Sequence, residues 1–426
     1  MDQGSLQLAY GDGLLDVNLE GMNILGVLDH PDGQVAGLVT EQEQYQEVVR
    51  ALRQPIAHLP LADALRGKGN IVIIVSDHTR PVPTWLLVRA IVAEGTRVGG
   101  KIENFCLVVA LGAHPTQGEN LHSYLPPELK GRVAVYINGQ TGFTTLGQTA
   151  LGTLVEVDSR VAEAEYVIAT GNIEMHRLAG FSGGAKAIMP GVCSRQSIQA
   201  NHSLINRFQP QPGQISENLI RQDIEEAAQM CGVNYLLNVV MDNHKQIRRA
   251  VAGELVAAHR QGCELVQKLQ KVPVTQMADV VVASAGGLPK DGSLYQGLKA
   301  MLNASELVKP GGHLVVLMQC PQGYGDPYFA SLLHRVQSIS QLKEMLAQNF
   351  VLGYHKAQGL VQILEHCHLH IISDNLAPVS WLGVHPSSAR QDVLQEIISQ
   401  FTSGLRPTAW VLPKAGYIFP QISESV

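Results

Sequence analysis

Short, continuous runs of apolar and β-branched residues constrain this chain most. Asn70–Ser76 reads NIVIIVS, and comparable runs lie at Asn104–Leu111, Tyr166–Thr170 and Ala278–Ala283. A strand with no polar alternation is buried on both faces, as in a parallel sheet covered by helices. Each run passes into a polar loop and then a helical stretch. Repeated strand, loop and helix define a doubly wound α/β pattern. Further strands are expected at Arg132–Ile137, Leu154–Asp158 and Tyr235–Met241, and helices at Gln42–Arg53, Gln214–Met230 and Ala252–Leu269. Residues 5–20 form two alternating runs around Gly11-Asp12-Gly13, a hairpin signal.

The chain has 426 residues, enough for two to three domains by the usual prior. Pro273 precedes a fresh strand, so a boundary is expected near 272. Residues 1–272 then form a cofactor-bearing catalytic α/β domain, and 273–426 a second α/β domain that supplies substrate contacts. Beyond it, helices are expected at Ser293–Val308, Pro327–Phe350 and Ser388–Phe401, with strands at His313–Gln319, Leu369–Ser373 and Ala409–Leu412. The expected architecture is two α/β domains with mostly parallel sheets and the active site in the cleft between them.

Composition narrows the function classes. A hydrophobic fraction of 45% and a charged fraction of 16% describe a well-buried globular chain. No Lys/Arg-rich run exists, which argues against nucleic acid. The longest apolar runs, such as Ile71–Val75 and Leu314–Met318, are too short to cross a bilayer. Met1–Gly13 lacks a basic start followed by an apolar core, so a cytoplasmic location is expected. The six cysteines, at 106, 193, 231, 263, 320 and 367, include no C-x-x-C pair and read as reduced thiols. Cys193 is the one near the glycine-rich loop, with burial as its plain explanation.

Ligands in open α/β sheets collect at the carboxyl ends of strands. Three blocks with chemical character stand there. Asp77-His78-Thr79-Arg80 follows the first strand, ahead of Pro81, Pro83 and a helix, and suits an anionic group; an ordinary turn with an Asp–Arg pair is the plain alternative. His114 follows the second strand, in Gly112-Ala113-His114. The third block is GFSGGAK, Gly180–Lys186, with His176 before it and His202 after it. Glycines let a ligand backbone approach Lys186 closely, and imidazoles hold metals or move protons. This loop is not a Walker A phosphate loop, because Ala185 and Ala187 flank the lysine. Leu294-Tyr295-Gln296-Gly297-Leu298-Lys299 is a weaker block, with Tyr295 and Lys299 on one helix face. His366, His368 and His370 alternate as on a strand face, and a polar surface strand accounts for them.

In order and spacing, these blocks resemble the nickel-pincer-nucleotide lactate racemases and their 2-hydroxyacid relatives. The resemblance implies a racemase or epimerase that inverts the hydroxyl-bearing C2 of a 2-hydroxy acid by reversible hydride transfer. Its implied cofactor is nickel in pyridinium-3,5-bisthiocarboxylic acid mononucleotide, joined to Lys186 through a thioamide. His202 is then the nickel ligand; imidazole and sulfur donors suit a square-planar nickel centre. Asp77, His78, Thr79 and Arg80 fall to the nucleotide, with Arg80 also near the substrate carboxylate. His114 and His176 become the acid/base pair, and Tyr295, Gln296 and Lys299 substrate contacts. Enzymes of cofactor biosynthesis are implied as maturation partners. Pro115 stands where the family often has Arg, which leaves the local substrate contacts open. Three other readings remain: a Lys186 Schiff-base enzyme, a net 2-hydroxyacid oxidoreductase, and a non-catalytic binder of the nickel nucleotide.

Overall fold

The structure, a computed structural model, describes residues 5–29, 40–80, 82–112, 120–208, 210–242, 244–348, 354–401 and 405–422. It divides into two compact units, Val35–Lys268 and the pair of segments Met1–Gln34 and Leu269–Val426.

Among its described residues, Val35–Lys268 is built on a six-stranded sheet. The strand order is Ile247–Gly253, Tyr235–Met241, Tyr166–Asn172, Ile71–Ser76, Phe105–Ala110, Ala134–Ile137. Every neighbouring pair is parallel except the first. Ile71–Ser76 sits inside the sheet, and Ile71 through Val75 are buried, as the unbroken apolar run requires. Glu41–Arg53 starts at a capping box in which Thr40 accepts the Glu43 N–H and Glu43 reaches back to Thr40. It buries Val48, Val49, Ala51 and Leu52. Leu219–Cys231 ends at Gly232 in the left-handed region, where glycine carries no Cβ penalty.

Two elements differ from expectation. Ile247–Gly253 is an antiparallel edge strand, and the following helix begins only at Leu255. Leu154–Asp158 pairs with Phe143–Gln148 in a separate antiparallel ribbon. Phe143–Gln148 never shows two neighbouring buried residues, so its sequence lacks the apolar run that marks the main strands.

The second unit also carries a six-stranded sheet among its described residues. Its order is Val384–His385, His368–Ile372, Val308–Leu317, Ala278–Ser284, Thr408–Leu412, Asn23–Val27, parallel throughout. The hairpin Ser5–Tyr10 and Gly13–Asn18 has the expected register, with Tyr10 opposite Gly13 across a two-residue turn. Asn23–Val27 lies in the same compact unit as the last segment of the chain. It pairs with Thr408–Leu412, so the first segment completes the sheet of the last one. Local pattern gives a strand's existence and not the sheet it joins.

The alternating histidines are also redistributed. His366 closes the helix Tyr354–His366 and its Nε2 bonds the Val308 carbonyl at 2.7 Å. His368 and His370 stand on the strand, stacked with His313 and, from His370, with His385. Among the described residues no group of three or more His, Cys, Asp or Glu side chains is arranged to hold a metal, and no helix is long and apolar enough to cross a membrane.

Candidate active site

Ile71–Ser76, Phe105–Ala110 and Tyr166–Asn172 lie side by side in parallel, so their carboxyl ends share one edge of the sheet. From the first comes the turn Asp77–Arg80. Asp77 is buried, and its Oδ1 accepts the Thr79 N–H at 3.2 Å and the Thr79 hydroxyl at 2.6 Å. Its carboxylate therefore shapes the turn, while Thr79 and Arg80 are half-buried and His78 is exposed. From the second strand comes Gly112, whose N–H bonds the Gly191 carbonyl at 2.9 Å. The bond ties this turn to the residues just after Lys186. Ala113, His114 and Pro115 lie outside the described residues.

The third strand feeds the glycine-rich loop. Met175–His176 folds back on Gly180–Phe181 as a short antiparallel pair. Ser182 closes the base of this excursion: its hydroxyl accepts the Glu174 N–H and donates to the Asn172 carbonyl, both at 2.9 Å. Gly183 and Gly184 both have positive φ, and the space beside them is filled. A Cβ on Gly183 would stand 2.5 Å from Asn238 Oδ1, and one on Gly184 2.7 Å from the His259 ring. The fully buried Asn238 accepts the Gly184 N–H at 2.7 Å.

Two further side chains brace the loop. Arg221, fully buried, donates from Nε to the Ala179 carbonyl at 3.0 Å and from Nη2 to the Phe181 carbonyl. Burial pulls its guanidinium down to about 10, still well above neutrality. Burial, and secondly Arg221, hold the His259 imidazole well below its ordinary pKa, so that ring is neutral. Arg260 donates to its Nδ1 at 3.1 Å, which leaves the proton on Nε2 for the Ser182 carbonyl at 2.9 Å.

The braced loop ends in a single turn, Gly184–Ala187, that presents Lys186. Lys186 Nζ lies 3.0 Å from His176 Nε2, and the Ala179 N–H points to His176 Nδ1 at 3.2 Å. Both side chains are half-buried. The loop turn packs against Tyr166–Asn172, Leu219–Cys231 and Ile71–Ser76. Cys193, buried nearby, has its thiol pushed well up by burial and is a packing residue.

His202 stands in the last turn of Arg195–Ser203, a helix capped by Ser194. Its neighbour Asn201 is buried and donates to Asp223 at 2.8 Å. Asp223, fully buried, also accepts the hydroxyls of Thr149 and Thr153. This network fixes the helix end that carries His202.

Tyr295, Gln296 and Lys299 belong to the other unit, half-buried on the helix Leu294–Ser305. Ser293 caps that helix through the Gln296 N–H. The Tyr295 ring meets Phe329 edge to face, and Lys299 Nζ lies 5.4 Å from the Phe419 ring. Asp291, fully buried, accepts the Gly11 N–H at 2.7 Å and the Gln319 N–H at 3.2 Å just ahead of the helix.

The braces Asn238, Arg221, His259 and Asp223 were not among the expected site residues. Asn238 alone left a trace, as the polar break in YLLNVVM. The others sit at ordinary polar positions of amphipathic helices.

Fold and loop together are those of an α/β enzyme that sets an amine against an imidazole at its strand ends. Residues 10–212 match the family model of the lactate racemase N-terminal domain, and residues 274–398 that of the lactate racemase C-terminal domain. The lactate racemase of Lactiplantibacillus plantarum is 31% identical over 399 residues, 91% of this chain and 92% of that protein. The lactate racemase of Thermoanaerobacterium thermosaccharolyticum is 33% identical over 331 residues, 76% of each. The structure of the Thermoanaerobacterium lactate racemase apoprotein superposes with a TM-score of 0.84 at 26% identity, covering 98% of this chain and 100% of that one. A Thermotoga maritima protein shares the fold, with a TM-score of 0.64 at 14% identity over 90% of this chain and 99% of its own. The chain belongs to the lactate racemase family, and as such is an isomerase.

Proposed function

We propose that the protein inverts C2 of a 2-hydroxy acid, lactate or a close relative, using a nickel-pincer nucleotide anchored on Lys186. The observation that carries the reading is the 3.0 Å contact between Lys186 Nζ and His176 Nε2, inside a glycine loop at the strand ends. The residues present fit the group. A half-buried amine gives a covalent anchor, and an imidazole donor such as His202 suits nickel. When bound, the group supplies an acceptor and donor of hydride for C2.

The protein's own groups do the rest. Asp77, His78, Thr79 and Arg80 form the turn assigned to the nucleotide, ahead of the helix Thr84–Arg97. Arg80 is also assigned to the substrate carboxylate, and Tyr295, Gln296 and Lys299 are the contacts assigned on the other unit. His114 and His176 take and return the hydroxyl proton from opposite sides. A reaction that runs in both directions needs a base on each. The Ala179 N–H holds the His176 ring in place through Nδ1.

The test is intact mass and nickel analysis of protein made in cells that synthesise the cofactor. The wild-type chain is expected to carry the adduct and nickel; Lys186→Ala is expected to fold and carry neither. An adduct that persists in Lys186→Ala would overturn the assignment.

A further inference from the structure

We infer that Asn218 is a positioning residue for His176. With Gly213 and Arg221 it grips the consecutive carbonyls of residues 178 to 181, the strip on which His176 rests. The inference deepens the reading of His176 as an acid/base group and rests on it only for the effect on turnover.

The strip holds His176 twice. The His176 backbone pairs with Gly180 in the short antiparallel fold-back, and the Ala179 N–H meets the ring at Nδ1, 3.2 Å away. So short a pair of strands is not stable by itself. Its rigidity has to come from what the strip touches on its other side.

Residues 213–221 supply that side. Asn218 Nδ2 donates to the Leu178 carbonyl at 2.8 Å and, at 3.4 Å, to the Gln214 carbonyl. The Gly213 N–H donates to the Gly180 carbonyl at 2.9 Å. Arg221 takes the two carbonyls that remain, Ala179 through Nε and Phe181 through Nη2. Gly180 lies so close to this segment that a Cβ on it would stand 1.9 Å from the Gln214 carbonyl oxygen. All of these bonds come from one stretch, which ends in the first turn of the helix Leu219–Cys231.

Asn218 is the joint of the arrangement. Its Oδ1 accepts the Arg221 N–H at 2.9 Å and so caps the helix, while its Nδ2 reaches Leu178. A backbone N–H on one side and a carbonyl on the other decide which end of the amide is which. The residue is fully buried, so solvent does not replace either bond. The cap sets where Arg221 begins its reach and the amide nitrogen sets Leu178, so one side chain registers the helix against the strip. The two roles separate chemically, because serine caps about as well as asparagine and brings no second donor.

Amide hydrogen exchange tests the grip on cofactor-free protein, wild type and Asn218→Ser. In the variant the amides of Ala179, Phe181 and Ser182 are expected to exchange about fivefold faster or more, while those of Arg221 and Gln222 keep their protection because the cap remains. Asn218→Asp keeps the shape and the cap acceptor and lacks the Nδ2 donor, so it is expected to do the same. Unchanged exchange of the strip in both variants overturns the inference. In the wild type the strip is expected to open together with the first turn of the helix; a strip that exchanges about a hundredfold faster than that turn overturns it without any variant. Turnover is then read per bound nickel in protein from cofactor-producing cells, so that a loss of folded or loaded enzyme does not count. Asn218→Ser is expected to lower kcat by roughly ten- to a hundredfold with KM within about threefold. A loosened strip with unchanged turnover per nickel would sink the acid/base reading of His176 and leave the grip standing. A wild type without the adduct would sink the proposed function, and the exchange result would still decide this inference.

Discussion

The buried carboxamide of Asn238 accepts the N–H of Gly184 at 2.7 Å, joining the Tyr235–Met241 strand to the turn that presents Lys186. Neither glycine of that turn has room for a side chain, so the bond sets the position of Lys186. Replacing Asn238 by Leu keeps the volume and leaves the Gly184 N–H without its acceptor. The expected cost is roughly 1–3 kcal/mol in denaturant unfolding, together with lower cofactor occupancy. An unchanged unfolding midpoint would show that the loop does not depend on this bond.

Arg221 should be still less replaceable. Arg221→Met removes a buried guanidinium and strands the Ala179 and Phe181 carbonyls. The expected loss is about 2 kcal/mol or more, read from urea unfolding. Arg221→Lys retains the charge and lacks the forked donors, so it should fall between the two. Equal stability of all three proteins would refute the bracing role.

The histidine stack makes the second unit acid-sensitive. Burial first, then His313, His385 and His368, press the His370 pKa down to about 4. Burial likewise lowers His313, whose further neighbours are Gln400 and Glu396. A histidine with a lowered folded pKa binds fewer protons folded than unfolded. Its contribution is therefore present above the unfolded value of about 6.5 and is lost as pH falls toward 4. With partial exposure discounted, His370 should cost about 1–2 kcal/mol by pH 4. His370→Gln should flatten that part of the stability–pH curve, and a curve that keeps its slope would exclude the stack as the cause.

Substrate labelled with deuterium at C2 separates hydride return from exchange at carbon. Most of the label is expected in the inverted product made in ordinary water. Substituting His176 should lower the rate by roughly 10²–10⁴ while nickel remains bound. Complete loss of label without detectable 2-oxo acid would overturn the hydride route.

Much of this was legible beforehand because it is local. Ile71–Val75 announces a strand covered on both faces, and Gly11-Asp12 announces its hairpin. The periodicity of Gln42–Arg53 announces the helix Glu41–Arg53. What was hidden depends on tertiary partners. IRRAVAG, with two arginines, becomes the edge strand Ile247–Gly253, since an edge tolerates charge that an interior strand does not. The fold-back that brings His176 to Lys186 depends on Gly180, whose position, against the Gln214 backbone, no spacing rule encodes. Arg221 drew no notice in the sequence, because nothing local says that two carbonyls from residues 179–181 will meet it.

The pairing of Asn23–Val27 with Thr408–Leu412 has a consequence for synthesis. Val35–Lys268 has all its sheet strands in one continuous stretch and is able to fold while the ribosome is still translating the remainder. The other sheet must wait. Its Asn23–Val27 strand emerges early but finds its neighbour only after nearly four hundred further residues have been made. Until then Asn23–Val27 waits without its sheet neighbour, and closing so long a loop is slow compared with local pairing. During biogenesis the nascent chain therefore passes through a stage in which the lysine-bearing unit is complete and the other lacks its last strand.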